Sequence, residues 1–368
     1  MKIPFVDLKS QYNSIKNQID DSIKNVIENT GFIGGKFVLD FETNFSKYYN
    51  VKHVISCANG TDSLYIIMKM LGIKSGDEVI TVANSWISSS ETITQVGARP
   101  VFVDIDPIYY SINENLIEQN ITENTKAIIA VHLQGQMCNI ERINEICKKY
   151  NLFLIEDCAQ SHFSSNNGVF AGLTGIASSF SFYPGKNLGA YGDAGCIITN
   201  DDILAEKFRM YANHGALIKH KHQIEGINSR MDGLQAAILN AKLPFITEWT
   251  NKRQNVASIY NRLLANINNI KTPEIRKNSV HSFHLYVIQA ENRDNLKKFL
   301  SDNGIETAIH YPTLLPMLKA YNYLNYSEID FPVASNLSSK ILSLPIFPEI
   351  SDEQIEFVSS KIREFYNK

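Results

Sequence analysis

The sequence predicts an α/β protein with two domains: a large one built on a mostly parallel seven-stranded sheet, and a smaller C-terminal α+β domain. Short apolar runs alternate with helical patterns between residues 54 and 199, which is typical of βαβ units in a parallel sheet. After Thr272 a second group of two strands and two helices follows. We therefore predict that residues 1–245 form the N-terminal segment and the large domain. Residues 246–368 would form a bridging helix and the small domain.

The first predicted element is an amphipathic helix in Ser10–Asn29, where Ile15 and Ile19 recur on one face. Glycines end it, and a second helix follows with Phe41 and Phe45 facing inward. The seven strands are predicted at Val54–Ser56, Glu78–Val82, Pro100–Val103, Ala127–Val131, Phe153–Glu156, Ser178–Phe182 and Cys196–Thr199. Helices between them are predicted at Leu64–Leu71, Ile87–Val96 and Ile140–Tyr150.

A long helix is predicted after Asp232, running toward Leu264 and bridging to the small domain. The elements of the small domain are predicted to be strand His284–Ala290, helix Arg293–Asn303, strand Thr307–His310 and helix Asp352–Tyr366. Active sites in sheets of this kind gather at the carboxyl ends of the strands. The loops that follow the predicted strands are therefore where functional residues are expected.

Composition excludes several classes of protein. Of 368 residues, 44% are hydrophobic and 20% are charged, as in an ordinary globular protein. A net charge of -3 gives no electrostatic basis for binding nucleic acid or a membrane surface. No apolar run approaches the ~20 residues of a membrane span, and the first residues resemble no signal peptide. Five scattered cysteines predict neither a disulfide framework nor a metal site, so we expect a cytoplasmic protein without a metal.

The most informative loop follows the predicted strand Ser178–Phe182. Pro184 and Gly185 force a turn, and Lys186 lies on that turn, in a segment with few other charges. Desolvation there would lower the pKa of the lysine, as a nucleophilic or general-base lysine requires. A surface lysine on a hairpin explains the same pattern, so this loop alone decides nothing.

Three more loops at predicted strand ends contain polar clusters. Gly60 and Thr61 lie at a helix N-terminus, where N–H groups and the helix dipole favour an anion, although an ordinary N-cap gives the same pattern. Trp86 is able to stack on a planar ring or to pack in the core. Asp157 and Gln160 lie directly after a predicted buried strand. An acid at this position is expected either in a functional site or as the N-cap of a helix.

The order of these loops along the chain is more specific than any one of them. A helix N-terminus for a phosphate, an acid for a ring nitrogen and a lysine for an imine are what pyridoxal phosphate requires. Competing motifs fail: Gly185-Lys186 lacks the upstream glycine of a P-loop, and G-D-A-G at 192–195 is not a dinucleotide fingerprint. Pyridoxal 5′-phosphate is therefore the predicted cofactor.

A series of motifs then identifies a family. They are P-F-V-D-L-K at 4–9, A-N-G-T-D-S-L at 58–64, G-D-E-V-I-T-V at 76–82, V-H-L-Q-G-Q-M at 131–137, E-D-C-A-Q-S-H at 156–162, S-F-Y-P-G-K-N-L-G-A-Y-G-D at 181–193, N-H-G at 213–215, G-I-N-S-R-M-D-G-L-Q-A-A at 226–237 and L-S-L-P at 342–345. With them the chain resembles, almost end to end, the DegT/DnrJ/EryC1/StrS family of nucleotide-sugar aminotransferases. The resemblance implies the fold of a fold-type I pyridoxal phosphate transferase.

The resemblance also implies roles for particular residues. Lys186 would bind the cofactor covalently and shuttle a proton, and Asp157 would pair with the ring nitrogen. Gln160 would contact the phenolic oxygen of the ring, and Trp86 would stack over the ring. The residues implied in phosphate binding are Gly60, Thr61, Ser181 and Asn228. Because Asn228 would reach the site from the partner subunit, a homodimer with shared active sites is implied.

The family's reaction moves an amino group from glutamate, which becomes 2-oxoglutarate, to a nucleotide-linked keto-sugar. Retention of Lys186 favours transamination over the family's dehydratase branch, in which histidine replaces this lysine. The G-x-N-S-R form at 226–230 is similar to members that act at C3. We therefore expect a dTDP-3-keto-6-deoxyhexose to give a dTDP-3-amino-3,6-dideoxyhexose for surface glycan synthesis. Two alternatives stay open: a C4 aminotransferase on a UDP-, GDP- or dTDP-4-keto sugar, and a non-catalytic regulatory protein.

The diphosphate of such a substrate needs cations or N–H donors beyond those on the cofactor phosphate. Lys219 and His222, from the partner chain, are candidates for this contact. Tyr183, two residues beyond Ser181, is able to hydrogen-bond a hexose hydroxyl or the diphosphate. His310 and Tyr311 are candidates for the sugar side of the site, although core packing explains them equally well.

Overall fold

The computed structural model of the chain describes residues 1–367. Its α-helices are α1 (Leu8–Ser14), α2 (Lys16–Glu28), α3 (Gly35–Tyr49), α4 (Gly60–Met70), α5 (Ser88–Gln95), α6 (Ile140–Tyr150), α7 (Asp202–Ala212), α8 (Gly233–Lys242), α9 (Ile246–Leu264), α10 (Arg293–Asp302), α11 (Pro332–Ser338) and α12 (Asp352–Tyr366). Short 3₁₀ helices lie at Glu114–Leu116, Glu118–Asn120, Leu243–Phe245, Leu315–Met317, Lys319–Leu324 and Glu328–Asp330.

The strands alternate with these helices through the first half of the chain. They are β1 (His53–Cys57), β2 (Glu78–Val82), β3 (Arg99–Val103), β4 (Thr125–Val131), β5 (Phe153–Asp157), β6 (Ser165–Asn166), β7 (Val169–Phe170), β8 (Ala177–Ser181), β9 (Gly195–Thr199), β10 (Ala216–Ile218), β11 (Lys221–His222), β12 (Ile270–Lys271), β13 (Ser279–Val280), β14 (Tyr286–Ala290) and β15 (Ile341–Leu344).

The predicted large sheet is confirmed. It has seven strands in the order β1-β9-β8-β5-β4-β2-β3, and the five strands from β8 to β3 in this order are parallel to one another. Strand β9 is antiparallel to both β8 and β1. The carboxyl ends of β1, β2, β4, β5 and β8 therefore meet at one edge of the sheet, and the loops predicted to contain the site leave from that edge.

Burial explains the strand sequences. In β4 the five residues Ala127–Val131 are all buried, as expected for a parallel strand with helices covering both faces. Phe180 and Phe182 pack with Phe41 and Phe45 of α3 in the same core, with ring centroids 5.4–5.6 Å apart. This packing fixes the strand that leads into the Lys186 turn.

A three-stranded antiparallel sheet, β12-β14-β15, forms the centre of the smaller α+β unit, with a hydrophobic cluster of its own. The N-terminal Ile3 belongs to this cluster, and its N–H donates to the Gly304 carbonyl at 2.8 Å. In the other direction, Leu315 packs in the large core, and its N–H donates to Ala83 at 2.8 Å. A residue from before position 245 thus packs in the smaller unit, and a residue from after it packs in the large core. The domain division at residue 245 stays a prediction.

Three predicted elements differ in the structure. The N-terminal helix is divided into α1 and α2 at Ile15, and the bridging helix is divided at Pro244, which has no N–H to continue the hydrogen-bond ladder. The predicted strand Thr307–His310 is wrong: only Ala308 forms a single bridge, to Ser343. Among residues 1–367, no helix is both long and apolar enough to cross a membrane.

Candidate active site

Lys186 lies where the prediction expects it, on the connection between β8 and β9. Two backbone hydrogen bonds hold this connection. The Phe182 N–H donates to the Ala194 carbonyl at 2.7 Å and joins its two ends, and the Lys186 N–H donates to the Tyr183 carbonyl at 2.8 Å within the turn. Burial lowers the pKa of Lys186 to about 8, while the nearby Asp157 carboxylate acts in the opposite direction. About a tenth of this amine is therefore neutral and nucleophilic at pH 7, far more than for an ordinary lysine.

Asp157 is the last residue of β5 and is only 6% exposed. One carboxylate oxygen accepts from the Ala159 N–H at 3.1 Å, and the other accepts from the Ser89 hydroxyl at 2.9 Å. Two hydrogen bonds thus hold the buried carboxylate in place. Such a group is suited to binding a protonated ring nitrogen.

The neighbouring acid, Glu156, has a different role. Its carboxylate accepts backbone N–H groups of Gly172, Thr174 and Gly175 at 2.6–2.9 Å, and it lies 2.8 Å from Nε2 of His132. All of its acceptor capacity is used inside the protein. Glu156 therefore fixes the segment between β7 and β8, and of the two adjacent acids only Asp157 is available to a ligand.

The predicted anion site lies where the loop before α4, the first turn of α4 and the end of β8 meet. Asn59 caps the helix by accepting from the Asp62 N–H at 2.8 Å, which leaves the N–H groups of Gly60 and Thr61 without partners among the described residues. Ser181 lies against Gly60 so closely that a Cβ on Gly60 would be 2.7 Å from the Cβ of Ser181. Asn59 therefore caps the helix, and the first two N–H groups stay free, as the predicted anion site requires.

The ring side of the site is formed from both halves of the chain. The amide nitrogen of Gln160 donates to the Tyr311 hydroxyl at 2.9 Å, and its oxygen accepts from the Gln134 N–H at 2.7 Å. Trp86, 60% exposed, lies with its ring centroid 6.0 Å from that of Tyr311. The structure thus brings Tyr311 to the residues predicted to surround the cofactor ring.

Three histidines lie close enough to Lys186 for its charge to act on them, and they are neutral at pH 7. Burial, and then the charge on Lys186, lower the pKa of His162 to about 3 and that of His310 to about 4, and lower the pKa of His284 well below its usual value. His310 also bonds to Ser343 through Nδ1 at 2.8 Å and stacks on Phe5. A protonated histidine would further disfavour the protonated form of Lys186. Because these histidines are neutral, they have no such effect.

The remaining predicted residues are exposed on the surface of the chain. Lys219 and His222 belong to the hairpin of β10 and β11, where His222 Nδ1 donates to the His214 carbonyl at 2.7 Å. Asn228 is exposed, while the next residue, Ser229, accepts from the Ala58 N–H before α4 and donates to Asp62 in the first turn of α4. Tyr183 is 59% exposed beside the lysine turn. In the single chain these side chains are accessible, as contacts to a partner subunit or to a large substrate require.

The residues present fit pyridoxal phosphate. The free N–H groups at Gly60 and Thr61 suit its phosphate, the buried carboxylate of Asp157 suits its ring nitrogen, and the amine of Lys186 suits its aldehyde. Sequence reasoning missed the Ser89 contact to Asp157. The run of three serines after Ile87 is the signal that could have indicated Ser89, because consecutive hydroxyls at a helix start need partners.

A model of the DegT/DnrJ/EryC1/StrS aminotransferase family matches residues 13–363. The chain is 43% identical over 368 residues to a pleiotropic regulatory protein of Geobacillus stearothermophilus, covering 100% of this chain and 99% of the relative. It is 41% identical over 365 residues to the dTDP-3-amino-3,6-dideoxy-alpha-D-galactopyranose transaminase of Aneurinibacillus thermoaerophilus, covering 99% of each. It is 39% identical over 360 residues to the UDP-2-acetamido-2-deoxy-3-oxo-D-glucuronate aminotransferase of Pseudomonas aeruginosa, covering 98% and 99%.

Among solved structures, the chain is similar to DesV of S. venezuelae in complex with a ketimine intermediate. The TM-score is 0.97 at 33% identity, and the match covers 100% of this chain and 99% of DesV. The predicted fold class, family, cofactor and class of enzyme are therefore confirmed. The chain belongs to the DegT/DnrJ/EryC1/StrS aminotransferase family and is a pyridoxal phosphate-dependent aminotransferase.

Proposed function

We propose that this enzyme is a cytoplasmic homodimer that moves an amino group from glutamate to C3 of a dTDP-3-keto-6-deoxyhexose. The products would be 2-oxoglutarate and a dTDP-3-amino-3,6-dideoxyhexose for surface glycan synthesis. The supporting observation is the half-buried Lys186 together with the buried Asp157 and Gln160, in a chain 41% identical to a dTDP-3-amino-3,6-dideoxyhexose transaminase.

The position of amination has more support than the nucleotide. Two relatives that match over nearly the whole chain have names that specify position 3, one as a 3-amino product and one as a 3-oxo substrate. The same two names specify different nucleotides, dTDP and UDP. We choose dTDP because the chain is 41% identical to the relative whose name specifies dTDP and 39% identical to the relative whose name specifies UDP. Amination at C4 is the alternative within this class.

Each catalytic step is assigned to a residue of the chain. Bound pyridoxal phosphate supplies an electron sink for the charge that develops when a proton leaves the substrate carbon. Lys186 holds and moves that proton, and its lowered pKa of about 8 keeps part of the amine neutral and able to accept it. Asp157 would keep the ring nitrogen protonated, Gln160 would bind the phenolic oxygen, and Trp86 would stack over the ring.

The substrate side would be completed by the partner subunit. Asn228 would reach the cofactor phosphate of the partner's site, and Lys219 and His222 would bind the sugar-nucleotide diphosphate there. In the same subunit as Lys186, Tyr183 and His310 would contact the hexose. The exposure of Lys219, His222 and Asn228 in the single chain supports this assignment, because a partner or substrate is then able to reach them.

Regulation is the second candidate function, since a relative 43% identical to the chain is named a pleiotropic regulatory protein. A regulator that only binds ligands needs no proton-transferring lysine. The lowered pKa of Lys186 favours catalysis over this alternative. Multiple-turnover amino transfer to any nucleotide-linked keto-sugar would exclude a purely regulatory role.

The test is a substrate panel with purified holoenzyme. Glutamate would be combined with dTDP-, UDP- and GDP-linked 3-keto and 4-keto sugars, and mass spectrometry would detect the amino sugar. We expect turnover of the dTDP-3-keto sugar and none by Lys186→Ala. Turnover of 4-keto sugars alone would refute the assignment of amination to C3. A preference for UDP-linked sugars would refute the assignment of dTDP as the nucleotide. Failure of every sugar, with glutamate also inert, would refute amino transfer to sugars.

A further inference from the structure

The first turn of α5 connects three different parts of the protein through consecutive serines. The Ser88 hydroxyl lies 2.7 Å from that of Thr61, the Ser89 hydroxyl donates to Asp157 at 2.9 Å, and the Ser90 hydroxyl accepts from Tyr321 at 2.8 Å. The exposed fractions of these serines are 8%, 1% and 0%. Water therefore cannot readily replace any of the three hydroxyls.

Ser89 has the contact with the most direct consequence for cofactor binding. Its one hydroxyl proton is directed to the Asp157 carboxylate, so the contact of 2.9 Å between Ser85 and Ser89 has Ser85 as the donor. The proton direction along Ser85, Ser89 and Asp157 is thus fixed by the ionised acid at its end. Ser85 is 4% exposed, so the whole chain of hydroxyls is buried.

The hydroxyl of Ser89 keeps the Asp157 carboxylate from turning toward Lys186. The carboxylate lies close enough to Lys186 for their charges to interact, as the effect of Asp157 on the pKa of Lys186 indicates. A carboxylate held only by the Ala159 N–H would be free to rotate about its last torsion toward the ammonium group. The Ser89 donor on the second oxygen blocks that rotation, because turning would break a hydrogen bond to a charge in a buried site.

We propose that Ser89 is a positioning residue that fixes the Asp157 carboxylate toward the ring nitrogen of pyridoxal phosphate, with Ser85 as the donor behind it. The proposal rests on the role of Asp157 in the proposed function. It concerns cofactor affinity and not the sugar. The serine acts through Asp157 and touches neither substrate.

The experiment measures binding of pyridoxamine 5′-phosphate to apoenzyme by equilibrium dialysis. This probe has an amine in place of the aldehyde, so it forms no bond with Lys186 and its affinity reports the ring and phosphate contacts alone. The variants are Ser89→Ala, Ser89→Thr, which keeps a hydroxyl, and Ser90→Ala, which loses a buried hydroxyl from the same turn. Asp157→Asn and the double variant with Ser89→Ala complete a double-mutant cycle. Thermal unfolding of each apoenzyme reports folding.

We expect Ser89→Ala to weaken binding about tenfold, Ser89→Thr to restore most of it, and Ser90→Ala to leave it within about twofold of wild type. In the Asp157→Asn background, Ser89→Ala should have no further effect. Equal losses in Ser89→Ala and Ser90→Ala, or an undiminished loss in the Asp157→Asn background, would overturn the proposal. No sugar is present, so an error in the substrate assignment leaves this result unchanged.

Discussion

The side-chain amide of Gln160 donates a hydrogen bond to the Tyr311 hydroxyl at 2.9 Å, across 151 residues of sequence. The other end of the same amide accepts from the Gln134 N–H at 2.7 Å. Gln160, which is expected to bind the phenolic oxygen of the cofactor, is thus engaged at both ends. Burial, and then the charge on Asp157, raise the pKa of Tyr311, so its hydroxyl stays protonated. Cofactor binding must therefore compete with, or share, the Gln160–Tyr311 contact.

Tyr311→Phe tests this competition. Removal of the hydroxyl leaves the buried Gln160 donor unpaired in the apoenzyme, which should lower its free energy of unfolding by about 1–3 kcal/mol. When the cofactor binds, its phenolic oxygen would supply the missing acceptor. The stabilisation that the cofactor gives should therefore be larger in the variant than in wild type. Urea unfolding of the apo and holo forms measures both quantities.

The matched control is Tyr260→Phe, which removes a buried hydroxyl that bonds to the Pro345 carbonyl in the smaller unit. This variant should lose stability equally in the apo and holo forms. If the cofactor stabilises Tyr311→Phe no more than wild type, Tyr311 does not compete for Gln160.

The second prediction concerns covalent attachment of pyridoxal phosphate to Lys186. Only the neutral amine attacks the aldehyde, and burial lowers the pKa of this amine to about 8. The rate of attachment to apoenzyme should therefore rise as pH increases through about 8 and level off above it. Stopped-flow absorbance measures this rate, and Lys186→Ala is the control that should show none. A rate that keeps rising toward pH 10.5, the ordinary value for lysine, would contradict the effect of burial.

The sheet and the lysine turn could be predicted because both depend on local sequence. Alternation of apolar runs with helices fixes the parallel strands, and Pro184-Gly185 forces the turn that presents Lys186. The strand predicted at Thr307–His310 failed because only Ala308 reaches a neighbouring strand. A short run of suitable residues cannot indicate whether a partner strand lies beside it.

The supporting contacts of the site could not be predicted, because they join residues far apart in sequence. Ser89 and Asp157 are 68 residues apart, and Gln160 and Tyr311 are 151 apart. The hydroxyl and carboxamide types of these side chains are visible in the sequence, but their partners depend on how the strands and loops pack. The family resemblance supplied roles for Asp157 and Gln160 and none for the serine that holds the acid.

The third prediction concerns stability in acid. Burial lowers the pKa of His281 to about 3, from 6.5 in the unfolded chain. Below pH 6.5 the unfolded chain therefore binds a proton that the folded protein does not, and stability is lost as the pH falls from 6.5 toward 3. The loss is about 1.4 kcal/mol per pH unit for this histidine. His281→Asn should reduce the fall in unfolding free energy between pH 7.5 and 5 by about 2 kcal/mol.

Urea unfolding at both pH values measures the effect, and His220→Asn, which removes an exposed histidine, should leave the slope unchanged. The informative quantity is the change with pH and not the stability itself, since His281 also accepts from the Phe283 N–H at 2.9 Å. An identical pH slope in His281→Asn and wild type would show that this histidine is protonated in the folded protein.

The fourth prediction tests the shared active site. If Asn228 acts on the cofactor phosphate of the partner subunit, a mixed dimer of Lys186→Ala and Asn228→Ala chains contains one site with both residues intact. Mixing the two weakly active homodimers under subunit exchange should therefore restore up to about a quarter of wild-type activity, because half of the dimers are mixed and each has one good site. No gain on mixing, with exchange confirmed by mass spectrometry, would place Asn228 in its own subunit's site.

The last prediction concerns the sugar nucleotide. Lys219 is exposed on the β10–β11 hairpin, and its ammonium group is proposed to bind the diphosphate in the partner's site. A charge-assisted contact of this kind is worth roughly 1.5–3 kcal/mol, so Lys219→Ala should weaken keto-sugar nucleotide binding about ten- to a hundredfold. The half-reaction with glutamate should stay nearly unchanged, because glutamate has no diphosphate. Single-turnover absorbance changes measure each half-reaction, and Lys207→Ala on α7 removes an exposed lysine away from the hairpin as a control. Equal slowing of both half-reactions by Lys219→Ala would make its role structural.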